Sequence, residues 1–196
     1  MMRKTLAKLA SDILNPFLVS LVMIVLLSFE SASSLSDAMK WSFLSLALSA
    51  VPILVIILYL VHSERLEGIF IKARQQRGKI YLMSSVFVAL SCVVLFYLGA
   101  PVELLAAFVA ALLAIVIYMT INRWWKISVH TGFVTASITL LIILYGAIGL
   151  AAAVLLPLIA WSRVELEHHS PMQVAVGAML AALIVVTVFR LFGLIG

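Results

Sequence analysis

Charged residues are scarce in this 196-residue sequence: Asp, Glu, Lys and Arg together make up 11% of it, against about 25% in ordinary soluble domains. Hydrophobic residues account for 65%, and the mean hydropathy is +1.26. A soluble domain of this length cannot bury so many apolar side chains. The composition therefore excludes a cytosolic enzyme, a disordered chain and a small secreted module. It predicts an integral membrane protein built of helices, because a spanning helix satisfies its own backbone polar groups.

Cysteine is nearly absent as well, since Cys92 is the single one. One cysteine forms no intrachain disulfide and no cysteine metal cluster, and its apolar surroundings favour a small filler in a helix. The net charge of +5 indicates orientation and contact with anionic lipid headgroups in a membrane protein. We therefore expect the membrane bilayer as a partner and no nucleic acid, and the oligomeric state stays open.

Six uncharged runs are candidates for membrane spans, which need roughly 20 apolar residues each. They are residues 13–29, 41–63, 80–102, 104–122, 131–162 and 170–189. The run 131–162 is either one tilted helix or a hairpin of two short helices that turns at Tyr145–Gly149, where two glycines stand three apart. The prediction is an all-α polytopic transmembrane helical bundle of six to seven spans, forming a single integral membrane domain over residues 1–196.

Proline positions refine the span boundaries. Pro101 and Pro171 open spans, and so does Pro16 after the capping residue Asn15. Pro52 and Pro157 lie inside runs and should kink them.

The basic N-terminus resembles a secretory signal, but the first run, residues 13–29, is longer than the usual 7–15-residue signal core. It favours a retained first span.

Basic residues concentrate in particular loops. All of the 13 Lys and Arg residues except Lys40 and Arg190 lie in the N-terminus or in the segments 64–79, 123–130 and 163–169. These segments share one membrane face only if the run 131–162 is a hairpin, and the positive-inside rule then places that face in the cytoplasm. No predicted span carries an ionisable residue near its middle, which argues against a transporter or pump. Any chemistry is therefore expected at one membrane surface.

Two short stretches on this face hold three of the four histidines: Arg123–His130 and Ser162–Pro171. Each leads directly into a predicted span, and a helix N-terminus attracts anions through its unpaired N–H groups and its dipole. With Lys126, Arg163 and a serine hydroxyl nearby, the pattern predicts a phosphate site rather than a metal site. The alternative is that the aromatic and basic residues of the first stretch are ordinary membrane-interface anchors.

Histidines in a phosphate site have two catalytic uses. One attacks phosphorus as a nucleophile, and a second protonates the leaving oxygen as a general acid. His169 and Gln173 are four residues apart at the start of a helix, so they share one face, and the Gln173 carbonyl would orient the His169 ring. Glu167, His168 and His169 are adjacent and point apart, so no metal site is predicted.

Together the two stretches resemble the type-2 phosphatidic acid phosphatase and haloperoxidase superfamily. Ile127-Ser-Val-His130 is similar to the second motif of that family, Pro-Ser-Gly-His. Ser162-Arg163, five residues, His169, three residues and Gln173 are similar to its third motif, Ser-Arg-x5-His-x3-Asp. The resemblance covers residues 123–184 and includes a helical hairpin between the two motifs. It implies a phosphatase-like core over residues 123–196, with accessory spans and a basic loop over residues 1–122.

The resemblance implies a concrete chemistry. His169 would attack phosphorus to form a phosphohistidine, and His130 would protonate the leaving oxygen. Arg163, Lys126 and Ser128 would hold the equatorial oxygens, with no metal and no cofactor. The implied activity is that of a phosphoric monoester or diphosphate hydrolase, or of a phosphotransferase, and the substrate is a lipid phosphate of phosphatidate or polyprenyl type.

Gln173 stands where the family has an aspartate, so the His169 ring would be oriented without a charged partner. Glu165 and Glu167 are candidates to compensate for the missing carboxylate. In a hydrolytic triad the same acid-to-amide change costs about 10⁴ in rate. The alternative function is therefore a catalytically weak or inactive relative that binds anionic lipid phosphates.

The other two motifs differ as well. Ile127 and Val129 replace the proline and glycine of the second motif, which predicts a stiffer loop. The first motif, Lys-x6-Arg-Pro, is absent, and its positive charge would come from Arg74 and Arg77 or from Arg123. The alternative for Arg74 and Arg77 is a solvated basic loop.

Overall fold

The computed structural model describes residues 2–64 and 74–196, and at positions 74–77 it describes the backbone alone. Within these residues the chain is all-α, with helices and no strands. The helices are α1 (Met2–Ile13), α2 (Pro16–Ser31), α3 (Leu35–Leu48), α4 (Ala50–His62), α5 (Arg74–Tyr97), α6 (Val102–Asn122), α7 (Val129–Tyr145), α8 (Ala147–Leu150), α9 (Leu155–Glu165) and α10 (Pro171–Leu191). A short 3-10 helix, Ala151–Val154, connects α8 to α9.

Six helical segments of the described chain are long and apolar enough to cross a membrane. They are Met2–Ser31, Leu35–His62, Gly78–Tyr97, Val102–Asn122, Ala147–Glu165 and Pro171–Leu191. Helix α7 is a further apolar helix of 17 residues, which corresponds to about 25 Å of rise against a bilayer core of about 30 Å. The predicted all-α polytopic bundle is confirmed.

The chain divides into two compact units. The terminal unit contains Met1–Ser20 and Trp125–Gly196, and the central unit contains Leu21–Trp124. In the central unit α5 packs against α6, and α3 packs against α4 and α5. The sequence-based boundary at residue 122 lies close to the second of these divisions, but the first twenty residues join the C-terminal part of the chain. The terminal unit contains both histidine-bearing stretches from Trp125 onwards.

Two prolines coincide with interruptions of the helices. Pro52 lies in the first turn of α4, and the chain departs from helical geometry at Ser49, where φ is −117° and ψ is −79°. Proline lacks an N–H, and its ring crowds the carbonyl four residues earlier. The run 41–63 therefore contributes to two helices rather than one. Pro157 lies in the first turn of α9, directly after the 3-10 helix. Both prolines thus distort their runs, as predicted.

The run 131–162 forms the predicted hairpin, and the alternative of a single tilted helix is wrong. Helix α7 ends at Tyr145, and Gly146 follows with a φ of +56°, which glycine adopts without strain. Helices α8 and α9 then pack back against α7. A Cβ atom on Gly149 would lie 2.0 Å from the carbonyl oxygen of Leu141, so this close approach requires glycine.

Helix α1 packs against α9 inside the terminal unit. Ser162 Oγ donates a hydrogen bond to the carbonyl oxygen of Ala7 over 2.6 Å. Arg163 Nη1 donates one to Ser11 Oγ over 2.5 Å. Ala7 and Ser11 lie one turn apart on the same helix face, and their small side chains allow the two helices to approach closely. The N-terminal residues are therefore a packed helix of the fold, which the sequence analysis did not predict.

Helix α2 begins at the Asn15-Pro16 pair, as predicted. Asn15 Oδ1 accepts a hydrogen bond from the backbone N–H of Leu18 over 3.0 Å, and this contact caps the helix.

An apolar core joins α7 and α9 to the junction between α1 and α2. Its buried members are Val134, Ile138 and Ile159, and Leu14, Val19, Ala152, Ala153, Leu155 and Leu156 pack against them.

Candidate functional site

The two histidine-bearing stretches meet at the starts of α7 and α10. The backbone N–H of Ser128 donates a hydrogen bond to the carbonyl oxygen of Gln173 over 3.3 Å. The hydroxyl of Thr131 donates one to the carbonyl oxygen of Val174, also over 3.3 Å. A Cβ atom on Gly177 would lie 2.7 Å from the carbonyl oxygen of Ser128, so glycine at this position permits the contact. Ser128 and the first turn of α7 therefore lie against the first two turns of α10, at one end of the terminal unit.

A C-terminal capping motif brings His169 back to the end of α9. The N–H of Glu167 donates to the carbonyl oxygen of Val164 over 2.9 Å, and the N–H of His168 donates to that of Arg163 over 3.1 Å. Glu167 has a φ of +57°, so the pattern is a Schellman motif with glutamate in the left-handed position that glycine usually holds. The N–H of His169 also donates to the Arg163 oxygen, over 3.2 Å. The spacing between arginine and histidine in the third motif therefore corresponds to one reversal of the chain.

Gln173 orients His169 from the first turn of α10. Ser170 Oγ accepts a hydrogen bond from the Gln173 N–H over 3.3 Å, and Gln173 Oε1 accepts one from the Ser170 N–H over 3.2 Å. These reciprocal bonds form a capping box, and Pro171 follows as the first helical residue. Gln173 Oε1 also lies 3.2 Å from His169 Nδ1, which is the contact that the sequence spacing predicts.

The Gln173 contact selects one tautomer of His169. The amide oxygen, identified by the Ser170 N–H that it accepts, has no proton to donate. A hydrogen bond with His169 Nδ1 therefore requires the proton on Nδ1, which leaves the lone pair on Nε2. This is the protonation state that a nucleophilic histidine needs.

Five polar side chains from the two stretches, which we call the polar cluster, are almost fully buried. Their exposed fractions are 0% for Ser128, 9% for His130, 0% for Ser162, 5% for Arg163 and 6% for His169. Within the described chain the Ser128 hydroxyl has no hydrogen-bond partner, and although Ser128 is the N-cap residue of α7, its side chain makes no capping bond. A buried hydroxyl without a partner costs free energy. Stability alone thus gives no reason for a serine at this position.

The other predicted phosphate ligands have different positions. Lys126 lies in the segment before α7 and is half-buried. Arg123 is exposed and follows the last residue of α6 in the central unit. Arg74 and Arg77 belong to the first turn of α5, but their side chains lie outside the described residues, so their role stays a prediction.

Glu165 and Glu167, the candidates for the missing carboxylate, form ion pairs with basic residues of α1. Glu165 Oε2 lies 3.3 Å from Arg3 Nη2, and Glu167 Oε1 lies 2.9 Å from Lys4 Nζ. The ion pair with Lys4 holds the pKa of Glu167 below its ordinary value. Both carboxylates therefore fasten α1 to the end of α9, and the hypothesis that one of them compensates for the missing acid stays a prediction.

An apolar groove of about 450 Å³ runs between α9 and α10. Its walls include Ala160, Trp161 and Val164 from α9, and Pro171, Val174 and Ala178 from α10. Val164 directly follows Arg163, and Pro171 and Val174 flank Gln173 in the first turn of α10. The groove therefore begins beside the polar cluster and runs away from it along two helices.

Comparison with protein-family models, with curated proteins and with solved structures found no match to this chain. The functional interpretation therefore depends on the side chains of the terminal unit. Two of the residues that shape this cluster, Ser11 and Thr131, carry no recognisable motif. The signal that the sequence offers for Ser11 is that it lies one turn after another small residue, Ala7, on the same face of α1.

Proposed function

We propose that this protein is a membrane lipid phosphatase or phosphotransferase with the chemistry of the type-2 phosphatidic acid phosphatases. The observation that carries the proposal is the hydrogen bond between Ser128 and Gln173, because it brings together the segments that hold His130 and His169. Two histidines and a serine at the starts of α7 and α10, with an arginine in the last turn of α9, suit a phosphate group, since helix N-termini favour bound anions.

In the proposed reaction His169 Nε2 attacks phosphorus, and the bond to the leaving oxygen breaks as His130 donates a proton to that oxygen. The products are a phosphohistidine and either an alcohol or, from a diphosphate, a monophosphate. Water then attacks the phosphohistidine while His130 accepts its proton, which releases inorganic phosphate and restores His169. An alcohol that replaces this water makes the reaction a phosphotransfer. Arg163, Lys126 and Ser128 stabilise the charge on the equatorial oxygens.

The proposed substrate is an amphiphile of phosphatidate or polyprenyl type. The polar cluster lies at the start of α10, which is long and apolar enough to span a bilayer, and the groove between α9 and α10 offers an apolar surface beside it. We place the protein in the cell membrane with this site facing the cytoplasm. The basic residues Arg3, Lys4 and Lys8, which are outside the proposed site, support that orientation through the positive-inside rule.

A second candidate function is binding of anionic lipid phosphates without turnover, and Gln173 is the observation that favours it. A neutral amide orients the His169 ring but does not stabilise the positive charge that the ring acquires during attack. In this case the same residues would hold a headgroup, and no phosphohistidine would form.

The primary test is a phosphate-release assay on the purified protein in detergent with phosphatidate, phosphatidylglycerophosphate and a polyprenyl diphosphate, each with and without EDTA. We expect metal-independent release from at least one of these. His169→Ala should lower the rate by more than about a hundredfold. The matched control is His62→Ala, at the last residue of α4, and it should keep the wild-type rate. A His169→Ala variant with wild-type turnover would contradict the enzyme.

The two candidates differ in a trapped intermediate. The enzyme should incorporate acid-labile phosphate from a radiolabelled substrate in a rapid quench, and His169→Ala should not. The binding protein should retain phosphatidate in vesicles in a salt-sensitive manner, with neither label nor phosphate release.

A further inference from the structure

The Arg163 side chain is held from a helix 152 residues away in the sequence. Its Nη1 atom donates a hydrogen bond to Ser11 Oγ over 2.5 Å, and the two residues are 5% and 4% exposed. A buried guanidinium is costly unless acceptors face its N–H groups. Helix α1 supplies one such acceptor, Ser11 Oγ.

Several contacts fix the register of α1 on α9, so the position of Ser11 is not adjustable. The Ser162 hydroxyl bonds to the Ala7 carbonyl one turn before Ser11. Further toward the N-terminus, Arg3 and Lys4 pair with the two glutamates at the end of α9. A shift of α1 by one residue would break these contacts and remove the Ser11 hydroxyl from the guanidinium.

We infer that Ser11 is a positioning residue for Arg163, and that α1 thereby forms part of the site; this inference rests on the proposed function. The guanidinium is planar with N–H groups in a rigid fork, so an acceptor on one terminal nitrogen fixes the direction of the whole plane. A guanidinium that is already oriented before the reaction does not have to rotate when negative charge develops on the equatorial oxygens of the phosphate. Ser11 itself does not touch the substrate.

The inference is tested with Ser11→Ala and Ser11→Thr, assayed for turnover of the lipid phosphate that the wild-type protein hydrolyses. We expect Ser11→Ala to lower kcat by about ten- to a hundredfold, the range of one hydrogen bond to a charged group, and to change KM little. Ser11→Thr keeps the hydroxyl and should restore most of kcat. The matched control is Ser28→Ala, which removes an equally buried hydroxyl that bonds only to Ile24 of its own helix.

A purely structural role is separated from positioning by a double-mutant cycle with Arg163→Ala. If Ser11 acts through Arg163, Ser11→Ala should cost nothing further in turnover once the guanidinium is gone. The inference would be overturned if Ser11→Ala lowered turnover by the same factor in the wild type and in Arg163→Ala. It would also be overturned if Ser11→Thr were as slow as Ser11→Ala. Where Ser11→Ala cannot be purified folded, Ser11→Cys keeps the volume with a much weaker acceptor and takes its place under the same criteria.

The experiments distinguish a wrong inference about Ser11 from a wrong proposal that the protein is an enzyme. Wild-type turnover with an unchanged Ser11→Ala variant overturns positioning and leaves the proposed enzyme intact. If no lipid phosphate is hydrolysed, orthovanadate binding to the full chain in detergent is measured instead. A tenfold weaker vanadate affinity in Ser11→Ala then supports positioning in a binding protein, and equal affinities, or no binding by the wild type, overturn it.

Discussion

The backbone N–H of Ser128 donates a hydrogen bond to the backbone carbonyl of Gln173 over 3.3 Å. Because both partners are main-chain atoms, this contact between the two stretches does not depend on the side chains of Ile127 and Val129. Ser128 has a φ of −87° and a ψ of 105°, an extended conformation open to any residue. The loop therefore reaches α10 without the proline and glycine of the resembled motif.

Two serines with equal burial give opposite predictions. Ser128 and Ser162 are both 0% exposed. Ser128→Ala removes a hydroxyl that has no partner in the described chain, so we expect unchanged or slightly higher thermal stability but weaker phosphate or vanadate binding. Ser162→Ala removes the bond to Ala7 and should lower stability by about 0.5–1.5 kcal/mol. Thermal unfolding and vanadate titration check both, and a destabilised Ser128→Ala would contradict a ligand-binding role for its hydroxyl.

Gln173→Glu should raise turnover. The variant is isosteric, keeps the oxygen 3.2 Å from His169 Nδ1, and adds a negative charge that stabilises the ring as it becomes positive. The carboxylate also suits the third position of a capping box, so stability should not fall. We expect kcat to increase by at least about tenfold. The upper limit is the rate loss of about 10⁴ that the reverse change, from acid to amide, causes in a hydrolytic triad.

Gln173→Ala is the matched control for that change, and it should lower kcat below the wild-type value because the His169 tautomer is no longer selected. If Gln173→Glu and the wild type have the same kcat, then the contact is only a helix cap.

Gly177→Ala should separate the two stretches. The added Cβ atom would lie 2.7 Å from the Ser128 carbonyl oxygen and 3.2 Å from Thr131 Oγ1, and overpacking of this kind costs about 1–3 kcal/mol. We expect a lower melting temperature together with a lower turnover. Gly78→Ala in α5 is the control, because its Cβ atom would meet nothing within 4 Å among the residues that the structure describes, and it should be neutral or stabilising. Equal melting temperatures for the two variants would show that the close contact is not required.

Acidification should weaken the attachment of α1. The pKa of Glu167 is lowered from 4.5 by the hydrogen bond and the charge of Lys4. Because the pKa is lowered in the folded state, the ion pair stabilises the protein at pH values above the ordinary pKa of a glutamate. This stabilisation is lost as the pH falls through the lowered pKa. Glu167→Gln should therefore melt below the wild type at about pH 7, and the two melting temperatures should converge as the pH falls through the lowered pKa of Glu167. Parallel curves at all pH values would contradict the coupling.

Much of the architecture was predictable because its causes are local. Uncharged runs delimit the spans, since every charge in a bilayer core is costly. Pro52 and Pro157 mark interruptions, since proline removes a helical donor wherever it stands. Gly146 and Gly149 mark the hairpin, one through its positive φ and the other through its contact with Leu141.

The contacts of α1 were not predictable from the sequence. Charged residues at positions 3, 4 and 8 suggest a lead into the first span, and nothing local connects Ser11 to Arg163. The same lack of long-range information applies to Glu165 and Glu167: their position beside His169 in the sequence suggests a role in orienting its ring and does not indicate their ion pairs. The Schellman reversal after Arg163 leaves them beside Arg3 and Lys4.

The order of synthesis has a consequence for the contact between Ser11 and Arg163. A ribosome that adds roughly 5–20 residues per second needs about 8–30 s to make the intervening chain. During that interval α1 has been made but its eventual neighbour α9 has not, and a product that terminates before Arg163 never acquires the contact. The hydrogen bond that holds the Arg163 side chain therefore forms late, after most of the chain has been synthesised.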